Sequence, residues 1–230
     1  MYALNKTLLW LSSAISLTLA AEAWALSVNG SAALTSDYVW RGTSQTRGDP
    51  AVQGSLKLST DSGWYASVWG SNVEFDGADA NTEWDITAGW SGALNPDWSL
   101  DLNSIYYRYP STSPHLNWIE FGGTVTWKQN YWLSAWWSDD VMASDENGAY
   151  LQLGGRTYFN SLWRFEGLLG YYWLDHSYAN SYGHAQLSLI RSITPNLEWR
   201  TSFHTTDSTA KSLFPDQGGE RLEVALQFSF

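Results

Sequence analysis

The 230-residue chain carries 23 acidic against 12 basic residues, a net charge of −11, no cysteine, and 16 Trp with 13 Tyr. That balance excludes a nucleic-acid surface and a disulfide-stapled fold. Beyond the N-terminal segment no run approaches the roughly 18 apolar residues of a membrane-spanning helix, and apolar spacings of three and four are missing.

The start of the chain pairs a short cationic region, Met1 to Lys6, with an apolar one, Thr7 to Ala20. Ala23-Trp24-Ala25 then supplies a small-x-small cleavage pattern. The apolar part is shorter than the about 20 residues that cross a ~30 Å hydrocarbon layer. Residues 1–25 therefore read as a secretory signal peptide and 26–230 as one mature domain.

From residue 27 the sequence predicts twelve alternating strands. They lie near 27–40, 50–60, 63–74, 82–91, 97–109, 116–127, 131–138, 149–159, 162–173, 182–191, 196–205 and 220–230. Each is close to the roughly 9–11 residues of a tilted transmembrane strand. In the fourth, Trp84, Ile86, Ala88 and Trp90 alternate with Glu83, Asp85, Thr87 and Gly89. In the ninth, Trp163, Phe165, Leu169, Tyr171 and Trp173 oppose Arg164, Glu166 and Tyr172. One apolar and one polar face per strand is the pattern of a lipid-facing barrel.

Two segments break the pattern. In the fifth, Leu100 and Leu102 are out of phase with Ile105 and Tyr107, which predicts a β-bulge near Asn103-Ser104. In the seventh, two apolar sets compete, and Tyr131, Leu133, Ala135 and Trp137 are taken as the outer one. Every second connection is tight and built of turn formers, such as Lys128-Gln-Asn130 and Asn160-Ser161. The others are mostly longer. Short periplasmic turns and long extracellular loops, with both ends in the periplasm, follow. Trp64, Trp90, Trp98, Trp127, Tyr131 and Trp163 beside the tight turns predict one aromatic girdle. Trp40, Trp84, Trp118 and Trp173 near the long loops predict the other. The expectation is all-β: one antiparallel twelve-stranded barrel in a Gram-negative outer membrane.

The last strand runs Arg221 to Phe230, with Leu222, Val224, Leu226, Phe228 and Phe230 on one face. An amphipathic strand ending on Phe resembles the signal by which barrel-assembly machinery recognises its clients. Phe228 and Phe230 are the residues of that signal here.

The stretch Leu34-Thr-Ser-Asp-Tyr-Val-Trp-Arg-Gly-Thr-Ser-Gln45, with Gly48-Asp-Pro-Ala-Val-Gln-Gly54, Trp69-Gly-Ser-Asn-Val-Glu-Phe75 and Ile105-Tyr-Tyr-Arg-Tyr-Pro110, resembles the proteobacterial TorF (gcw_chp) family of candidate porins. The resemblance is specific through about residue 110. It implies an outer-membrane barrel and supplies neither a substrate nor catalytic residues. Its motif residues are Asp37, Tyr38, Trp40, Arg41 and Gly42. They fall at the top of strand one, where Asp37 or Asp49 is expected to tie down Arg41 and Gly42 to permit a turn.

Parity sends Lys57, Asp85, Asp101, Glu120, Arg156, Arg164, Glu166, Glu198, Arg200, Arg221 and Glu223 to the lumen. Facing lipid, an Arg or Lys would cost roughly 2–4 kcal/mol near the midplane. Tyr65, Trp69, Tyr150 and Tyr172 share that parity. The expectation is a narrow water-filled channel for small polar solutes. The outer connections hold Glu74, Asp76, Asp79, Asp139, Asp140, Asp145, Glu146, Asp175, Asp207 and Asp216, an acidic mouth that would favour cations. The alternatives are a barrel that is only structural or adhesive, and an outer-membrane hydrolase. The second has thin candidates, His204 beside Ser202 and His184 beside Ser188, with no nucleophile motif. No cofactor, metal or nucleic acid is called for. Asp139-Asp140 and Asp145-Glu146 read as a solvated loop, not a calcium site.

Overall fold

The computed structural model describes residues 26–75, 77–110 and 112–230. The expected signal peptide, Asp76 and Ser111 lie outside them. Twelve antiparallel strands close into one barrel. In chain order these are β1 (Leu26–Thr35), β4 (Ala51–Thr60), β5 (Trp64–Asn72), β6 (Thr82–Ala93), β7 (Trp98–Arg108), β8 (Trp118–Trp127), β9 (Tyr131–Ser138), β10 (Gly148–Tyr158), β11 (Trp163–Leu174), β12 (Tyr182–Thr194), β13 (Leu197–Thr206) and β14 (Arg221–Ser229). Two short strands, β2 (Val39–Trp40) and β3 (Thr43–Ser44), pair only with each other. A helix, α1 (Ser208–Leu213), sits in the last long connection, capped by Asp207 accepting from the Ala210 N–H. It is far too short to cross a membrane; the strands cross.

The outer face is apolar along every strand. Leu56, Val68, Ile86, Leu102, Phe121, Leu133, Leu153, Leu169, Leu187, Phe203 and Leu226 are all exposed. Exposing such a band to water would be unfavourable, so acyl chains are its solvent. Tyr131, Leu133, Ala135 and Trp137 of β9 point out, alternating with the partly or fully buried Trp132, Ser134, Trp136 and Ser138.

Three expectations need correction. The first strand stops at Thr35, five residues early, because the chain then turns into the barrel. The β7 register runs unbroken against both β6 and β8, so there is no bulge at Asn103-Ser104. Ile105 and Tyr107 simply face inward, where they meet apolar partners. The register shift lies instead at Ser192/Thr194, beside the turn to β13. Finally, Trp40 and Trp118 are not girdle residues. Trp118 is buried, stacked on Tyr107 at 4.3 Å, with Trp40 edge-on to both.

The barrel closes between β1 and β14 over the pairs Ser31↔Ser229 to Thr35↔Ala225. Phe230 extends that seam by exchanging two backbone hydrogen bonds with Gly30, at 2.9 and 3.0 Å. Its ring lies across Gly30, where an added Cβ would come within 2.5 Å of the Phe230 Cζ. The Phe230 ring is 60% exposed and can swing aside, so Gly30→Val should displace it and weaken the folded barrel only slightly, by about 0.5 kcal/mol. The midpoint of urea unfolding in liposomes measures this.

Candidate functional site

The connection between β1 and β4 decides the interior. It folds inward as the β2–β3 hairpin, whose two-residue turn is Arg41-Gly42. Both residues have positive φ, 47° and 85°. That is the requirement of a type I′ turn, for which Gly is suited and Arg is not. Room is also short at the second position, where a Cβ on Gly42 would sit 2.6 Å from the His184 Cβ.

What holds Arg41 in an unfavourable backbone is its side chain. The guanidinium makes a bidentate pair with Glu120 on β8, at 2.8 and 2.7 Å. It also lies over the rings of Tyr150, Trp40 and Tyr172 at 4.0, 4.3 and 4.6 Å. Both partners are withdrawn from water, with side-chain exposures of 7% and 1%. Tyr107 donates a third hydrogen bond to Glu120 at 3.0 Å. A buried charge pair persists only when its remaining lone pairs are satisfied in this way.

The base of the hairpin is fixed separately. One Asp37 oxygen accepts from Ser44 Oγ at 2.5 Å and from Thr46 Oγ1 at 3.1 Å. The other accepts from Arg221 on β14 at 3.0 Å. Asp37 therefore ties the loop to the wall and not to Arg41. Asp49 is exposed, and Arg41 reaches across the lumen instead. Tyr38 packs on Trp69 at 5.2 Å. The family-like motif is thus a plug: Asp37 at its base, Tyr38 and Trp40 as its body, Arg41-Gly42 at its tip.

The charged residues of the interior form two tiers. Asp85, Glu120, Arg221 and Glu223 lie in the half towards the long loops. Glu120 and Arg221 bind the plug directly. Glu223 accepts from Thr35 Oγ1 at 2.8 Å and bonds His204 Nε2 at 2.9 Å. Asp85 lies beside Glu83, a buried carboxylate on the same polar face that the expected lumen set left out; Tyr109 donates to it at 2.7 Å. Lys57, Asp101, Arg156, Arg164, Glu166, Glu198 and Arg200 lie in the half towards the short turns. Arg164 bridges Glu198 at 2.5 and 2.8 Å and Glu166 at 3.0 Å. Arg200 and Arg156 approach Glu166 at 3.3 and 3.6 Å. On the opposite wall Lys57 Nζ sits 3.6 Å from the Tyr65 ring centroid, and Tyr65 donates to Asp101 at 2.9 Å. This tier is half-exposed, whereas the tier around the plug is largely buried.

Residues 20–228 match the model of the Gcw_chp family, described as bacterial proteins of unknown function. The chain belongs to that family. No curated protein sequence matches this Gcw_chp chain. Its barrel is similar to the NanC porin, at TM-score 0.57 and 11% identity over 89% of this chain and 99% of that one. It is similar to the KdgM porin, at 0.56 and 10% over 88% and 98%. It is also similar to an outer-membrane channel from Pseudomonas putida F1, at 0.53 and 12% over 88% and 94%. Such identities carry the fold: this is a bacterial outer-membrane barrel of porin architecture, so its long loops face the exterior and its short turns the periplasm.

The serine and histidine pairs of the Gcw_chp barrel are engaged elsewhere. Ser188 and Ser202 bond each other at 2.8 Å. His204 bonds Glu223, and His184 Nε2 bonds the Tyr150 hydroxyl at 2.8 Å. Among the described residues no three His, Cys, Asp or Glu side chains are grouped to hold a metal. In the outer loops Asp140 accepts from the Asp145 N–H at 2.8 Å. Ser177 donates to Asp175 and holds that carboxyl below the usual carboxylate range.

Proposed function

We propose that this Gcw_chp protein is a porin-like channel for passive diffusion of small polar solutes, narrowed by its first external loop. The resemblance to TorF candidate porins implies the barrel and supplies no solute. One observation carries the reading. The periplasmic half of the interior carries opposed, partly exposed charges, four basic (Lys57, Arg156, Arg164, Arg200) and three acidic (Asp101, Glu166, Glu198). Lumen charges of both signs orient polar solutes and leave little net selectivity of their own. The cation preference we infer comes instead from the acidic outer loops, whose field acts before solute reaches the plug.

The plug itself favours a second reading, a sealed barrel with a structural or adhesive role. Planar-bilayer recording separates the two. Stepwise current through purified protein, with a reversal potential on the cation side in a salt gradient, is expected for the channel. Silence from heat-modifiable, folded barrel supports the sealed form. Anion-side reversal would sink the cation preference alone.

A non-catalytic role is supported by the histidine partners, since His204 bonds Glu223 and His184 bonds Tyr150 while Ser188 and Ser202 bond each other. Export by a 1–25 signal peptide and recognition of Phe228 and Phe230 by barrel-assembly machinery complete the proposal.

A further inference from the structure

All six outer connections meet above the plug and enclose one pocket of about 310 Å³. Trp40 forms its floor, and Phe75, Leu116, Met142, Tyr178 and Phe214 come from the other five loops. We propose that this pocket is a binding site for an uncharged aromatic compound, mono- or bicyclic, taken from outside the cell.

The chemistry of the walls selects that class. No lining residue carries a charge. A carboxylate or other anion would leave water without a partner, which is costly. An anion would also have to pass the acidic loops. A saccharide needs hydrogen bonds around its whole rim, but the Tyr109 and Tyr178 hydroxyls already donate to Glu83 and Met142 Sδ, which leaves Thr43, Gln45 and Gln217 from only two of the six loops. Flat rings gain both apolar area and offset or edge-on stacking against such walls. The volume is at the small end of ligand pockets and corresponds to about ten water molecules at roughly 30 Å³ each. Water there would face mostly apolar side chains that cannot bond it, so displacing it is favourable.

The floor is pre-formed. Trp40 is fixed edge-on by Tyr107, Trp118 and Tyr172 at centroid distances of 6.2, 6.2 and 5.9 Å. Little ordering cost then remains for a ligand that stacks on it. Binding requires no current through the barrel, so this site and the channel reading fail or stand separately.

The test is a ¹⁹F NMR titration of the protein in lipid nanodiscs with 5-fluoroindole, using 4-fluorobenzoate as the charged counterpart. Saturable binding of 5-fluoroindole is expected, above the linear partitioning into lipid seen with empty nanodiscs. Leu116→Trp, which fills the pocket, and Phe214→Ala, which removes a wall on a loop, should each weaken it by about tenfold. If Leu116→Trp does not fold, Phe214→Ala with Tyr178→Ala is read the same way. Absence of saturable binding, unchanged affinity in the variants, or equal binding of 4-fluorobenzoate would overturn the proposal.

Discussion

Glu120→Ala is expected to release the plug and raise single-channel conductance. The substitution leaves the Arg41 guanidinium buried without its bidentate partner. Removing one member of a buried pair costs about 3–5 kcal/mol, because the other charge stays dehydrated. Arg41 sits at the tip of a hairpin, so the protein can avoid that cost by letting the tip swing to water. The plugged-to-open ratio should then fall by roughly a hundredfold to a few thousandfold at 1.4 kcal/mol per decade. The left-handed backbone at Arg41 adds to the effect, since strain of about 1–3 kcal/mol is no longer held in place. The measurement has two parts: conductance in planar bilayers, and trypsin cleavage after Arg41, which the wild-type plug shields. Adding Arg41→Met to Glu120→Ala should bring the conductance part of the way back to the wild-type level, because no orphaned charge then remains. Unchanged cleavage and conductance in Glu120→Ala would show that the hairpin is held by its base at Asp37 instead.

The second large effect is expected on the outer wall. Leu187 lies midway along the 13-residue β12 and is 51% exposed on the apolar face. Leu187→Arg should lower unfolding stability by about 2–4 kcal/mol, the cost of placing that cation at the bilayer midplane. Leu94 is as exposed, at 56%, but lies in the short turn after β6. Leu94→Arg should cost only about 0–1 kcal/mol, since the interface hydrates the guanidinium. Urea titration in liposomes, read by the heat-modifiable gel shift, compares the two. Equal losses would mean that Leu187 does not face acyl chains. The contrast tests membrane depth specifically, because the two substitutions remove the same side chain and add the same one.

The sequence by itself determined the barrel. A strand exposes its two faces alternately, so a chain in lipid must write apolar and polar residues in period two. Charges in the wrong phase would cost kilocalories each. That constraint acts residue by residue, and it placed the strands, the tight turns and even the outer set of β9. It also assigned Glu120, Arg164 and Glu166 to the polar phase. It failed where neighbours other than lipid and water set the chemistry. Tyr38 and Trp40 are apolar because they fill the lumen, yet they continue the pattern of strand one and were counted with it. Ile105, Tyr107 and Trp118 face inward because the plug covers them, and only an invented bulge reconciled the first two with a wet channel. A sharper local signal was present in Arg41-Gly42, a turn dipeptide flanked by Trp and Thr. What no local pattern holds is the partner of Arg41. Glu120 lies 79 residues away along the chain, and Arg221 lies 184 from Asp37. Those pairs exist only once closure of the barrel brings β8 and β14 round the folded loop. The tertiary structure alone therefore decided what fills the outer half of the lumen, because only barrel closure brings those distant partners together.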